Sequence, residues 1–243
     1  MKLKQKTIAI TGATSGIGLA LVEQLYEHNQ LIIIARNQHK INQLSDKYPN
    51  LICIQADLTN QQQIQHAAEI LLTRCQQLDV LINNAAVQHC HYFTDKQFSP
   101  ASIDQEISLN FSAVCHLTYL CLPLLKQSSQ GTILNINSGL GLVPKTASAV
   151  YCATKAALNH FSISLGEQLK PYNISVCQAF LPLVDTAMTQ GRGTHKLTAT
   201  QASLAIINGI KQQQVQCDIG KVRWLRLLQR LMPSAALSLM RKY

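Results

Sequence analysis

Thr11-Gly12-Ala13-Thr14-Ser15-Gly16-Ile17-Gly18 closes the β-branched run Thr7–Thr11 and opens a helical pattern that continues through Leu25. Strand, glycine-rich turn and helix in that order aim backbone N–H groups and a helix N-terminus at a phosphate. Gly12 lets the chain turn tightly, Gly16 leaves room for a pyrophosphate, and Gly18 lets helix and strand pack closely. Glycine-rich turns are common as purely structural devices. The strand before this one and the helix after it point to a ligand.

The next apolar run, Leu31–Ala35, ends in Arg36-Asn37. In a dinucleotide-binding arrangement this strand end faces the adenosine ribose. An acid there would bond both ribose hydroxyls. Ala35 followed by Arg36 suits the 2′-phosphate of NADP instead, the alternative being a solvated surface arginine. Strand Leu51–Gln55 then leads to Ala56-Asp57-Leu58-Thr59, with Thr59 or Asn60 as helix cap before Gln61–Gln77. Strand Val80–Ile82 ends in Asn83-Asn84-Ala85-Ala86. A long helix is expected from about Ser102 to Leu125; it contains Asn110, and Pro123 marks or kinks its last turn. Strand Thr132–Ile136 precedes a helix from the Tyr151 region to Lys170, stopped by Pro171, and strand Ile174–Ala179 runs toward Pro182. Strand–helix alternation without hairpin signals predicts an α/β fold, a parallel sheet covered on both faces. No repeat or linker interrupts it, so residues 1–243 read as one domain.

Tyr151-Cys152-Ala153-Thr154-Lys155 puts a phenol and an ammonium one helical turn apart on the same face. An isolated phenol, with a pKa of roughly 10, is a poor proton donor near neutral pH. A nearby ammonium favours the phenolate, which predicts a lowered value suited to general acid–base work. Ser138 follows the apolar run Ile133-Leu134-Asn135-Ile136, so its hydroxyl falls at the C-terminal end of a buried strand. Hydroxyl and phenol together suit the oxygen of a carbonyl being reduced or an alcohol being oxidised. A Tyr and a Lys four apart also arise by chance, and the pair gains meaning only from its companions.

Hydrophobic residues make up 47% of the chain and charged residues 14%, which excludes a disordered protein and supplies a large core. No uninterrupted apolar run is long enough to span a bilayer, and the N-terminus lacks a signal peptide's apolar region, so a cytoplasmic location is expected. The eight cysteines form no C-x-x-C pair and read as reduced, largely buried thiols. His89-Cys90-His91-Tyr92 splits its side chains between two sides when extended and has no further ligand pair; it reads as pocket wall, and no metal is expected. A net charge of +9 invites a nucleic-acid reading. The bases are dispersed, however, without aromatic platforms or a continuous groove, and no nucleic-acid partner is expected.

Taken together, these residues resemble the short-chain dehydrogenase/reductase family over roughly residues 5–190. The motifs T-G-x-x-x-G-x-G at Thr11–Gly18, N-N-A-x at Asn83–Ala86, Ser138 and Tyr151-x-x-x-Lys155 fall in the family's order and spacing. The resemblance implies a doubly wound Rossmann fold with strand order 3-2-1-4-5-6-7 and an active-site tetrad of Asn110, Ser138, Tyr151 and Lys155. In it Tyr151 exchanges the proton with the substrate oxygen and Ser138 positions that oxygen. Lys155 holds the nicotinamide ribose and lowers the tyrosine pKa, while Asn110 organises a water linking Lys155 to solvent. Cofactor contacts are implied at Gly12, Thr14, Ser15, Gly16, Ile17 and Gly18 in the turn, and at Arg36, Asp57 and Leu58 around the adenosine. Asn83 and Ala85 follow at the fourth strand end, the former near the adenosine ribose, and Pro182, Val184 and Thr186 on the nicotinamide side. Ala86 departs from the family's usual glycine, and Pro182-Leu183-Val184-Asp185-Thr186 is one residue shorter than the usual P-G-x-V-x-T. The short form is similar to a bacterial branch of DltE-type oxidoreductases.

The expected function is therefore an NADP(H)-dependent oxidoreductase, preferring NADP(H) over NAD(H), that moves hydride between the nicotinamide and a small carbonyl or alcohol substrate. The alternative is a non-catalytic NADP-sensing protein on the same fold, which has no use for a tuned tyrosine. His89–Phe93, Gly139–Thr146 and a Thr186–Leu197 lid are expected to line the substrate, and a homodimer or homotetramer is expected. Beyond the family motifs, the segment 221–243 carries six bases and no acid. Trp224, Leu227, Leu228 and Leu231 fall on one helical face, and Arg223, Arg226 and Arg230 on another. Such a helix docks on its own domain, on a second subunit, or on an anionic membrane as a peripheral contact.

Overall fold

In the computed structural model, which describes residues 1–241, seven strands run parallel in one sheet. They are β1 (Thr7–Thr11), β2 (Gln30–Ala35), β3 (Ile52–Gln55), β4 (Val80–Asn83), β5 (Gly131–Ser138), β6 (Ile174–Leu181) and β9 (Gln216–Asp218). Their order is β3-β2-β1-β4-β5-β6-β9, the doubly wound order expected. The strand at the far edge is ninth along the chain because β7 (Val184–Asp185) and β8 (Leu197–Thr198) pair with each other in a separate small sheet.

Alternation along each strand feeds two cores. Ile8, Ile10, Leu31, Ile33, Val80 and Ile82 face one side, where α1 (Gly16–Leu25) and α7 (Ala199–Lys211) bury Leu21, Val22, Ile206 and Ile210. Ala9, Ile32, Ile34 and Leu81 face the other, against Leu71 of α3 (Gln61–Arg74) and Leu117 and Cys121 of α5 (Ala113–Gln127). The helix α2 (Gln38–Lys47) covers the first face beside β2, through Leu44. Helix α3 is capped by the Asn60 side chain, which accepts from the N–H groups of Gln62 and Gln63. It stops at Arg74, short of the expected Gln77, because Cys75 turns extended and both it and Leu78 enter the second core.

The long helix is one continuous run from α4 (Ala101–Ile107) through α5, wider than expected at both ends. Its 27 residues are long and apolar enough to cross a membrane, and its apolar stripe of Val114, Leu117, Cys121, Leu124 and Leu125 packs on the sheet. Pro123 sits inside it without ending it. Between α4 and α5 the helix widens into a π turn at Ser108–Ser112, centred on Asn110. Helix α6 (Ala149–Leu169) carries Tyr151 and Lys155. All eight cysteines are free thiols.

The C-terminal segment folds as α8 (Val222–Leu231) and α9 (Pro233–Met240), packed on each other. Val222 is buried, and Val222 and Leu225 lie against Gly139 at the end of β5. Arg226 is held by Asp218 of β9 through two hydrogen bonds. Trp224, Leu227, Leu231 and Met232 remain outward and exposed. Lys242, the last of the six bases, lies outside the described residues.

Candidate active site

A cleft of about 1450 Å³ opens along the C-terminal ends of the strands, where a doubly wound sheet binds its ligands. It exceeds the several hundred Å³ of an ordinary small-molecule pocket and has room for two ligands. At its centre is the glycine turn. Gly12 has φ +65°, and a Cβ there would fall 2.8 Å from Ala85 Cα. A Cβ on Gly18 would fall 2.4 Å from the Gly12 carbonyl oxygen, so α1 presses onto the strand end only because that position is bare. Ser15 precedes α1 without capping it, which leaves the helix N-terminus open toward the cleft. Thr186 stands over Gly16, its methyl 3.0 Å from where a Cβ would lie.

The turn is stitched to β4 by side chains. The Thr11 hydroxyl accepts from the N–H groups of Asn84 (2.9 Å) and Ala85 (3.0 Å), and the Asn84 amide donates to the Thr11 and Gly12 carbonyls. At the β2 end Arg36 meets Asp57 at 3.4 Å. Partial burial opposes the Asp57 carboxylate, yet the Thr59 backbone N–H, its hydroxyl and Arg36 together hold the carboxyl below its usual range. Lys40 lines the same end. A bare glycine turn, an open helix N-terminus and two cations beyond it fit a dinucleotide and its phosphates.

Ser138, Tyr151 and Lys155 meet on the cleft floor. The Ser138 hydroxyl accepts the Leu140 N–H at 3.1 Å as the chain leaves β5. Lys155 Nζ donates to the Ile136 carbonyl at 2.8 Å and lies 5.8 Å from the Tyr151 ring centre. Burial pulls the Lys155 ammonium down to about 8. Burial also pushes the Tyr151 phenol up; the Ser138 hydroxyl and Arg192 oppose this, and Cys152 and Glu106 reinforce it. The lowered tyrosine expected from the Tyr–Lys pair is thus reversed, because the phenol sits out of water and desolvation is the largest influence on it.

Three expected side chains lie outside the cleft lining: Gly18, Asn83 and Asn110. Asn83 is buried on the second-core face, donating to Thr118 (3.2 Å) and Asn135 (2.8 Å), and its neighbour Asn84 faces the cleft instead. Asn110 accepts the Val87 N–H at 2.8 Å and donates to the Val87 carbonyl at 2.9 Å and to Thr154 at 3.3 Å. It therefore pins the loop after β4 to α6, the helix of Tyr151. The remaining cofactor positions, from Thr14, Ser15 and Ile17 through Leu58 and Ala85 to Pro182, Val184 and Thr186, all border the cleft.

The chain matches the model of the short chain dehydrogenase family over residues 6–197. The uncharacterized oxidoreductase DltE of Bacillus subtilis is 32% identical over 236 residues, covering 93% of this chain and 92% of that protein. A Burkholderia cenocepacia short-chain dehydrogenase solved with NADP superposes with a TM-score of 0.89, at 23% identity over 99% of both chains. A Sphingobium yanoikuyae short-chain dehydrogenase solved with NADPH gives 0.80, at 27% identity over 97% and 95%. The chain is a short-chain dehydrogenase. As such it is an NAD(P)-dependent oxidoreductase, and the expected DltE-type likeness is reflected in its relatives.

Two parts of this short-chain dehydrogenase's cleft differ from expectation. None of His89–Phe93 borders it: His89 bonds Gln105 (2.9 Å) and the Glu106 carboxylate, Cys90 sits behind Arg192 and Lys145, Tyr92 and Phe93 are exposed, and Gln88 forms the wall. The C-terminal segment, read as lying beyond the chemistry, contributes Trp224, Leu225, Leu228, Leu239 and Met240 to the lining. The spacing of Trp224, Leu227, Leu228 and Leu231 marked an apolar face but not its destination: Trp224 and Leu228 border the cleft together with Leu225, whereas Leu227 and Leu231 do not. Glu106, buried and one helical turn before Asn110, also went unread; burial raises its carboxyl despite the hydrogen bonds from the His89 and Tyr151 N–H groups.

Proposed function

We propose that the protein is an NADP(H)-preferring carbonyl reductase in which Tyr151 is the general acid. The observation that carries this reading is the meeting of Ser138, Tyr151 and Lys155 in the same cleft as the glycine turn. A bound nicotinamide cofactor supplies or accepts the hydride. The Tyr151 phenol gives its proton to the substrate oxygen, and the Ser138 hydroxyl orients that oxygen. Lys155 would hold the cofactor ribose and, as an ammonium, stabilise the phenolate left behind. Burial holds the phenol protonated, the form in which a general acid must start. A screen of NADPH and NADH oxidation against a panel of aldehydes and ketones tests the reading; NADPH consumption with none of them overturns it in favour of a cofactor sensor.

The preference for NADP(H) rests on Arg36, 70% exposed at its side chain and held only by Asp57 at 3.4 Å. A guanidinium–phosphate contact is worth roughly 1.5–3 kcal/mol, on the order of 10- to 150-fold. Arg36→Ala is expected to lose that factor in NADPH affinity and none in NADH affinity. Equal affinities in the wild type, or an unchanged ratio in the variant, refute it.

Homo-oligomer formation is supported by Ile107, Tyr119 and Ile163, apolar and exposed on the α4–α5 and α6 surfaces. A peripheral membrane contact is supported by exposed Trp224, Leu227 and Leu231 beside Arg223 and Arg230. Trp224 is the chain's only tryptophan. Its emission is expected to be that of an exposed indole, to shift blue with anionic vesicles at low salt, and to revert with added salt. Emission indifferent to vesicles excludes the contact.

A further inference from the structure

The residues bordering the cleft include one acid, Asp57, and it is already engaged by Arg36. The cations there are far more numerous. Arg36 and Lys40 lie at the adenosine end, Lys155 is on the floor, and Lys196 is held by Asp185 (3.3 Å) and the Thr189 carbonyl (2.7 Å). Lys221, just ahead of α8, is exposed to solvent. That leaves Lys145, from the loop after β5, and Arg192, from the loop between β7 and β8. Among the described residues neither has a carboxylate within 4.0 Å, and both are half-buried. Arg192 Nη1 donates to the Gln88 amide oxygen at 2.9 Å and approaches Cys90 Sγ at 2.7 Å, and Lys145 Nζ reaches the same sulfur at 3.5 Å. Two cations from different loops thus converge on one sulfur, within a carboxylate's span of each other. Their other partners are neutral. Arg192 is also near enough to Tyr151 for its charge to favour the phenolate.

Unpaired cations drawn together at the edge of a largely apolar cleft are unfavourable until an anion joins them. A cofactor running from Arg36 to the glycine turn satisfies the other end of the cleft, not this one. The wall beyond Lys145 and Arg192 is apolar: Trp224, Leu225, Leu228, Leu239 and Met240. We propose that the substrate is an oxo acid with an apolar chain, its carboxylate bound between Arg192 and Lys145 and its chain laid along α8 and α9. This rests on the reductase reading above. The fork of Arg192 suits the two carboxylate oxygens, and Lys145 adds a second charge without a fixed geometry. Tyr151, Arg192 and Lys145 border the same cleft, and a 2- or 3-oxo acid, with its carboxylate one or two carbons from the carbonyl, is the simplest substrate to meet all three.

The test compares medium-chain 2- and 3-oxo acids with their methyl esters, which keep the carbonyl and chain and lose the charge. Turnover with NADPH and equilibrium binding to the enzyme holding NADP⁺ are both measured. The wild type is expected to favour acid over ester at least tenfold in kcat/KM and in affinity. Arg192→Gln and Lys145→Gln, on separate loops, are each expected to bring that ratio toward one, mainly through KM. Arg192→Lys is expected to restore part of it. An ester handled as well as the acid, a ratio that survives both substitutions, or a loss that appears in the KM for NADPH instead overturns the proposal. Selective acid binding without turnover of any carbonyl overturns the reductase reading and leaves the anion site standing.

Discussion

Tyr151→Phe is expected to lower turnover by about 10²- to 10⁴-fold, the usual contribution of a positioned general acid, with cofactor affinity nearly unchanged. The ring remains, so packing against its buried surroundings is kept; only the hydroxyl goes. No other side chain on the cleft floor can replace it. The Ser138 hydroxyl has no proton to give at neutral pH, and Lys155 is turned to the Ile136 carbonyl. Single-turnover measurements with saturating NADPH separate the chemical step from binding. Retention of more than a hundredth of the wild-type rate would sink the assignment.

Lys155→Met carries the second large effect, and it runs in two directions. Turnover is expected to fall at least as far as in Tyr151→Phe, with weaker cofactor binding, since one ammonium serves both the ribose and the phenolate. A rate loss with unchanged cofactor affinity would remove the ribose role. Stability is expected to move the opposite way. Unfolded, Lys155 keeps its proton to about pH 10.5, whereas in the fold burial brings its pKa to about 8. Between those values the unfolded chain binds the additional proton, so this residue's contribution to stability rises with pH. Below pH 8 the native protein bears the whole penalty of a buried ammonium, about 3 kcal/mol for a shift of that size. Methionine removes it but leaves the Ile136 carbonyl unpaired, which returns about 1–3 kcal/mol. The cofactor-free variant should therefore be more stable at pH 7 by up to about 2 kcal/mol, relative to a wild type that gains on it from pH 8 to 10.5. Denaturant unfolding of variant and wild type side by side measures it. The difference cancels the buried thiols of Cys121 and Cys177, whose raised pKa values act oppositely over the same range. A stability difference that does not move toward the wild type between pH 8 and 10.5, or that moves the other way, refutes the buried-charge account.

The glycine turn and the central strands were legible because their causes are local. Gly12 needs a positive φ, Gly18 a bare Cα, and Ile32–Ile34 a sheet buried on both faces. Asn83 was legible too, had alternation been followed to its end: Leu81 faces the second core, so the residue two further on must do the same. The edge strand Gln216–Asp218 had no such signal, being short, polar and paired on one side only. The destination of α8 was likewise invisible. Its spacing defines an apolar face, but whether that face meets solvent, lipid or a cleft depends on Gly139, more than eighty residues earlier. The phenol's upward shift belongs to the same class, since desolvation is the work of the whole surrounding structure and not of a four-residue step.

The ladder between β7 and β8 closes the base of the loop that bears Arg192. Val184 pairs with Leu197 and Asp185 with Thr198, and hydroxyl caps at Thr186 and Thr198 finish the two ends. Between them the backbone is tied to its own stem, and the Arg192 side chain reaches out to Gln88 and Cys90 of the loop after β4. Gly191 and Gly193, both at positive φ, let the tip bend back on itself. Such a loop behaves as a cassette. Its tip can be exchanged among relatives that share the stem, so a lineage can acquire a new substrate by grafting a few residues while inheriting the catalytic floor unaltered.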